Sequence, residues 1–350
     1  LNCEKYYTMT KKIAVINGDG TGPELVKAML NVLKATDINA EFIMCEAGSE
    51  WWEKNGGDSY FPKETWDAME EADVCFKGPT TTNPTPGTPR SVAVTIRQHF
   101  DLYANIRPIK TFTNHVGPLG EVDFICVREA TEGLYTGIEY QLSDDVSIAI
   151  RKITRKSCER VAKQAFEIAK NKNWKTVVPL YKANILKITD GMFFDSVKKI
   201  GADYPDIAIE DYFIDNFAQQ IVKNPQRFNQ TVVLSTNLFM DVISEECAGL
   251  IGSIGCVYSG NYGDNYAMFE PAHGSTPKYK GLDKINPTAT ILSGAWMLDY
   301  IGEKNNSKLI FDAVNHVITE GKHVTYDLKG NSKLSEMSNA IIDQINKTLN

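Results

Sequence analysis

Short runs of consecutive apolar residues alternate along the chain with longer stretches of helical periodicity. Residues 12–17, KIAVIN, read as a buried strand. GDGTGPE follows, a turn in which Pro23 and Glu24 are placed to open a helix over about 24–35. Further apolar runs predict strands at 40–45, 74–77, 124–128, 176–180, 208–213 and 232–235. Helical spacing predicts helices at 64–72, 156–172, 191–200, 215–223 and 241–248. Strands separated by helices in this order predict an α/β sheet. Residues 79–89, PTTTNPTPGTP, are polar and punctuated by proline, as a loop is. Residues 136–153 alternate apolar and polar positions, a pattern that fits strands pairing across a dimer.

Gly18, Gly20 and Gly22 invite a dinucleotide-fold reading. Their spacing is G-x-G-x-G, not G-x-G-x-x-G, and no acidic residue about 20 positions on is clearly placed at a strand end. A Rossmann fold is therefore not expected.

At 350 residues the chain has room for about two domains. A net charge of −7 argues against bulk binding to nucleic acid or an anionic membrane. The seven cysteines, Cys3, Cys45, Cys75, Cys126, Cys158, Cys247 and Cys256, are widely spaced and contain no CxxC pair. They indicate neither a disulfide framework nor a zinc site, and fit a reducing compartment. No run has the length of a membrane span, and the N-terminal residues lack the apolar core of a secretory signal. A cytoplasmic protein is expected (mitochondrial matrix if eukaryotic and processed), with Met9 near the natural start.

The candidate chemistry lies in a few charged residues set in apolar surroundings. VTIRQHFDLYANIRP places Arg97 and Arg107 in a segment with little other charge, just after the proline-rich loop, and Arg128 follows in VREATEGLYTG. Three guanidinium forks suit a small substrate with more than one carboxylate, because each can make two parallel charge-assisted hydrogen bonds. Surface salt bridges are the bland alternative. Asp241 and Glu245 stand four residues apart, so a helix puts both on one face, where hard oxygens suit Mg²⁺ or Mn²⁺. Asp215 is a third acidic candidate, and a solvated acidic face is the alternative for the pair. Tyr135 and Lys182 are candidates for proton transfer, against a packed tyrosine and a snorkelling lysine.

Together the motifs resemble one family, the β-decarboxylating dehydrogenases acting on isocitrate, 3-isopropylmalate and homoisocitrate. The segments that carry the resemblance are GDGTGPE, KGP at 77–79, RQHFDLYANIRP, VREATEGLY, YKANILK, DNFAQQIVKNPQRF, TNLFMDVISEE and EPAHGSTPKYKG with KINPTA. They run in order from about residue 12 toward the C-terminus. The resemblance implies a two-domain α/β fold that is not a Rossmann fold. It implies a large cofactor-binding domain of 1–101 with 252–350, and a small domain of 102–251 whose clasp, about 136–153, is exchanged between two subunits. Arg97, Arg107 and Arg128 would hold substrate carboxylates, and Tyr135 and Lys182 would be the acid–base pair, Lys182 acting across the dimer interface. Asp241, Asp215 of the other subunit and Glu245, which replaces a family Asp, would hold the metal. Asn184 would lie near substrate and nicotinamide. His273, Gly274, Ser275, Lys278, Tyr279, Asn286 and Tyr326 would hold the adenosine half of the cofactor.

Within that resemblance Ser91, six residues before Arg97, and the small Ala93 favour isocitrate over the apolar tail of isopropylmalate. Homoisocitrate is the runner-up. Lys278 and Tyr279 favour NADP over NAD, although Gly330 stands where an arginine is expected. A homodimer with shared active sites is expected. A non-catalytic regulatory subunit is the reading of a different class, and turnover by the purified chain alone separates the two.

Overall fold

The computed structural model describes residues 10–113 and 117–349, so Cys3 and Met9 lie outside the described residues. The strands are β1 (Lys11–Ile16), β2 (Ala40–Cys45), β3 (Val74–Lys77), β4 (Ala104–Lys110), β5 (Asp123–Glu129), β6 (Glu139–Ser143), β7 (Val146–Ala149), β8 (Thr176–Tyr181), β9 (Ala208–Ile209), β10 (Tyr212–Phe213), β11 (Thr231–Ser235), β12 (Tyr258–Tyr262) and β13 (Ala267–Pro271). The helices are α1 (Gly22–Lys34), α2 (Ser49–Asn55), α3 (Lys63–Glu71), α4 (Val92–His99), α5 (Arg155–Asn171), α6 (Thr189–Gly201), α7 (Ile214–Lys223), α8 (Asn237–Gly249), α9 (Thr288–Tyr300), α10 (Lys304–Glu320) and α11 (Leu334–Leu349).

One 11-stranded sheet organises the molecule, in the order β10-β8-β11-β5-β4-β12-β13-β3-β1-β2, with β9 beside β8. Its two flanks are parallel, as apolar runs buried on both faces require. The middle is antiparallel at β5–β4, β4–β12 and β12–β13. At β4–β12 the sheet passes from strands of 102–251 to strands drawn from before 101 and after 252. The fold is therefore mixed α/β, as expected, and is not a dinucleotide fold.

The predicted elements up to residue 251 are present, with ends displaced by a few residues. The strand expected at 208–213 is split into β9 and β10 around Glu210 and Asp211. The helix expected to begin at 241 begins at Asn237. Three of the elements the pattern missed have physical reasons. Helix α9 is buried nearly all round, so it lacks a one-sided apolar stripe. Strand β12, YSGNY, carries Gly and Asn, and β4 carries Arg107 and Pro108.

The glycine-rich turn is a packing knot. Gly18 and Gly20 have positive φ, and a Cβ on either would lie 2.1 Å from the Pro79 carbonyl oxygen or 2.3 Å from that of Ser275. Between them the buried Asp19 carboxylate accepts from the amides of Ser49, Glu50 and Thr81 at 3.1, 2.9 and 2.7 Å. The turn thus anchors both the proline-rich loop and the 273–279 loop beside one another. Among the described residues no helix is long and apolar enough to cross a membrane.

Candidate active site

Two strands and one helix build the first part of the site. Lys77 ends β3, Glu270 lies on β13 and Arg97 lies on α4. All three are buried, and Glu270 receives Lys77 at 2.9 Å and Arg97 at 2.6 Å. Burial opposes ionisation of Glu270, but the two cations outweigh it and hold the carboxyl far below its usual range. Its stability contribution is therefore complete above the ordinary carboxylate range and lost as pH falls through the lower folded-state value. We expect Glu270→Gln, which leaves two buried cations unpaired, to cost about 3–5 kcal/mol at neutral pH in urea unfolding. The loss should shrink as the pH is lowered, and a constant loss across that range would contradict it. The Arg97 Nε is buried with no partner among the described residues.

Arg107 and Arg128 face the carboxylates of α8. Arg107 donates to Asn105 at 3.0 Å, Ser244 at 3.0 Å and Glu245 at 2.7 Å. Arg128 donates twice to Asn237 Oδ1, at 2.9 and 2.8 Å, and once to Asp241. The other oxygen of Asp241 accepts from the Tyr135 hydroxyl, and the Arg128 guanidinium lies 4.9 Å from the centre of the Tyr135 ring. Burial and the nearby charge of Arg97 lower Arg128 to about 10, so it remains a cation at neutral pH. Burial works against ionised Asp241, but Arg128 and the Tyr135 hydroxyl outweigh it and hold the carboxyl low. Burial, and the bond to Asp241, raise the Tyr135 phenol. Asp241 and Glu245 do share one helix face, as their spacing predicts.

A second group lies apart from the first. Lys182, just after β8, pairs with Asp215 on α7 at 2.6 Å, and the Lys182 amide donates to the fully buried Asp190 at 2.6 Å. No hydrogen bond or ion pair among the described residues joins Lys182 or Asp215 directly to Asp241, Glu245 or Tyr135. No three His, Cys, Asp or Glu residues gather into a metal-binding group there either. One chain thus brings together two of the three predicted ligands and not the third. Asp215 is 67% exposed, and apolar Ile185, Ile188, Phe213 and Val222 are exposed on the same segments. Asn184 lies exposed in the loop after Lys182.

Ser91 precedes α4 as its N-cap, but its hydroxyl makes no capping bond. The loop after β13 gathers the cofactor candidates. His273 is buried, with Nδ1 against the Gly274 carbonyl at 3.0 Å and Nε2 without a partner among the described residues. Burial lowers its pKa, so the imidazole is neutral at pH 7. Gly274 is open, while Ser275 is tied into the glycine knot through Thr81 and Thr21. Lys278 lies 5.0 Å from the Tyr279 ring, and Lys284 lies over both Tyr279 and Tyr326, at 5.3 and 5.0 Å. Asn286 is buried and fully engaged: its amide donates to Asp327 at 2.9 Å and its carbonyl accepts from the Thr288 amide at 2.9 Å. It braces the Tyr326 segment. Lys77, Glu270, Asn105, Asn237 and Lys284 were not singled out by sequence. All five nonetheless lie inside the segments that carry the resemblance: Lys77 in KGP, Asn105 in RQHFDLYANIRP, Asn237 in TNLFMDVISEE, Glu270 in EPAHGSTPKYKG and Lys284 in KINPTA.

The isocitrate/isopropylmalate dehydrogenase family model matches residues 12–342. The chain is 39% identical to 3-isopropylmalate/3-methylmalate dehydrogenase of Methanocaldococcus jannaschii, over 95% of this chain and 98% of that one. It is 40% identical to isocitrate/homoisocitrate dehydrogenase of Thermus thermophilus, over 96% and 99%. The crystal structure of isocitrate dehydrogenase from Methylococcus capsulatus superposes with a TM-score of 0.91 at 40% identity, covering 96% of this chain and 99% of that one.

Proposed function

The chain belongs to the isocitrate/isopropylmalate dehydrogenase family, and from that premise we propose that it oxidatively decarboxylates isocitrate to 2-oxoglutarate and CO₂ with NADP as hydride acceptor. Relatives of similar identity carry different substrate names, so the choice among acids rests on this chain's own residues. The observation that carries it is Ser91. Its hydroxyl makes no capping bond at the N-terminus of α4, where the helix end favours an anion. A third carboxylate, beyond those matched by the arginines, suits that position better than an apolar tail does.

The donor set fits a divalent metal. Asp241 and Glu245 offer hard oxygens from one helix face, and Asp215, exposed beside Lys182, completes the set when brought by a second subunit. When bound, Mg²⁺ or Mn²⁺ supplies Lewis acidity to the hydroxyl and carbonyl oxygens. Arg97, Arg107 and Arg128 hold the substrate carboxylates, and Ser91 donates to the remaining one. Lys182 receives the hydroxyl proton as hydride leaves the carbon. The β-keto acid then loses CO₂, and Tyr135 protonates the resulting enol carbon. Burial keeps that phenol protonated at neutral pH, the state a proton donor needs.

The same geometry supports reading the protein as a homodimer with shared sites. In the hairpin β6–β7, Tyr140 and Ile148 are cross-strand partners beside Leu142 and Val146, and all four are exposed. A two-stranded hairpin with a bare apolar face needs a partner surface.

NADP is favoured by Lys278, Tyr279, Tyr326 and the additional Lys284, and the buried His273 Nε2, without a partner among the described residues, offers one to the adenosine half. Charge-assisted bonds to a 2′-phosphate are worth about 1.5–3 kcal/mol, or roughly ten- to a hundredfold in binding, and the low end is expected. Gly330 cannot supply the missing arginine: a Cβ there would lie 2.0 Å from the Val324 carbonyl oxygen. Gly330→Arg should therefore lower the melting temperature without strengthening NADP binding.

The test is kcat/KM for isocitrate, homoisocitrate and 3-isopropylmalate, each with NADP and with NAD. Isocitrate with NADP should be highest. Ser91→Ala should lower the isocitrate value about tenfold and leave isopropylmalate nearly unchanged. Homoisocitrate, longer by one methylene, is the second reading because Ala93 leaves room beside Ser91. A tenfold preference for NAD would overturn the cofactor assignment.

A further inference from the structure

Arg97 and Arg107 belong to clusters on opposite sides of the β12–β4 pair, and an unbroken line of buried amides joins them. Asn261 on β12 and Asn105 on β4 are direct cross-strand partners, and both are fully buried. The Glu270 Oε1 atom that receives Arg97 at 2.6 Å also receives Asn261 Nδ2 at 3.0 Å. Asn261 Nδ2 also donates to the Met268 carbonyl at 3.1 Å, and its Oδ1 accepts from Asn105 Nδ2 at 2.9 Å. Asn105 Oδ1 in turn accepts from Arg107 Nε at 3.0 Å. Every amide atom is used and each has one workable orientation. Flipping Asn105 would set its NH₂ against the Arg107 Nε–H, and flipping Asn261 would set its oxygen against Glu270.

We infer that Asn105 and Asn261 are positioning residues that hold the Arg97 and Arg107 guanidiniums in fixed orientation to each other across the β12–β4 junction, so that the two forks act as one rigid receptor for two carboxylates of the same acid. The inference rests on the proposed function in one respect, that these arginines receive substrate carboxylates. The physical effect is preorganisation. A long arginine side chain free to rotate loses conformational freedom when it grips a carboxylate, and a chain already oriented loses less. The two amides touch neither carboxylate, and act only through the guanidiniums.

A positioning role predicts a separation of KM from kcat. Asn261→Ala, which removes no contact of Arg107, should raise KM for the acid about tenfold while kcat stays within about threefold. Asn105→Ala should do the same. The double variant should be no worse than either single one, because both break one chain. A merely structural role would lower the melting temperature with KM unchanged, or give effects that multiply, and either result overturns the inference. Should an alanine variant fail to fold, Asn261→Ser, polar but too short to span both neighbours, carries the same expectation. A second readout needs no substrate. In ¹⁵N spectra the Arg107 Nε–H signal should exchange with solvent about tenfold faster in Asn261→Ala than in the parent protein, and unchanged exchange overturns the relay. If the parent protein oxidises none of the three acids, the proposed function fails, and the exchange measurement still decides the relay.

Discussion

Asp241→Asn is expected to lower turnover by about three orders of magnitude, an activation cost of about 4 kcal/mol. The residue serves three partners at once. It accepts from Tyr135, pairs with the buried Arg128, and with Glu245 offers the oxygens that suit a divalent cation. Asparagine keeps the shape and removes the charge, so Arg128 loses its counter-ion. The folded state should lose about 2–3 kcal/mol, toward the low end for a broken pair because Asp241 is 30% exposed. The sign of the pH dependence follows from its lowered pKa. The stabilisation is complete above the ordinary carboxylate range and disappears as pH falls through the lower folded-state value. Glu245→Asp should be much milder, since a carboxylate is retained. The companion measurement is chelation: excess EDTA should abolish activity in the parent protein, and Mn²⁺ or Mg²⁺ should restore it. Full activity in EDTA, or an asparagine variant with near-normal turnover, would refute the metal assignment.

Tyr135→Phe should reduce overall turnover by roughly 10²–10⁴-fold, the range expected for loss of a positioned proton donor. The ring remains, so its contact with Arg128 at 4.9 Å is preserved and the change isolates the hydroxyl. In D₂O the parent enzyme should place one deuterium on a single face of the product carbon, whereas the phenylalanine variant should scramble it. Lys182→Met should be comparably slow. Mixing the two inactive variants under conditions that exchange subunits should then recover about a quarter of the activity, because half of the dimers are mixed and each has one intact site. No recovery, with exchange demonstrated independently, would place Lys182 and Tyr135 of one chain in the same site.

The order of most strands and helices up to residue 251, with α2, α4 and β4 excepted, was legible because buried parallel strands read as uninterrupted apolar runs and their helices keep a polar face. It faded where that rule fails. Helix α9 has no polar face, and β12 and β4 hide Asn105, Asn261 and Arg107 inside strands. The arginines themselves were visible because a charge in apolar surroundings requires a partner. What partners them was not, since Glu270 lies 173 positions from Arg97 and a neutral asparagine has no pattern of its own. The separation of Asp215 and Lys182 from Asp241 entered only through the family resemblance, because spacing says nothing about which subunit supplies a ligand.

The strand order also has a consequence for synthesis. Strand β3, residues 74–77, borders β13, residues 267–271, and β4 is bridged to it only through β12. When the first hundred or so residues leave the ribosome, their sheet therefore ends in a bare strand edge, and its neighbour has yet to be translated. An open edge of that kind is a template for wrong partners, and closing it requires ends nearly two hundred residues apart to meet. Nascent chains arrested before residue 258 should expose β3 to protease and bind chaperones, and those released after residue 271 should lose both properties together.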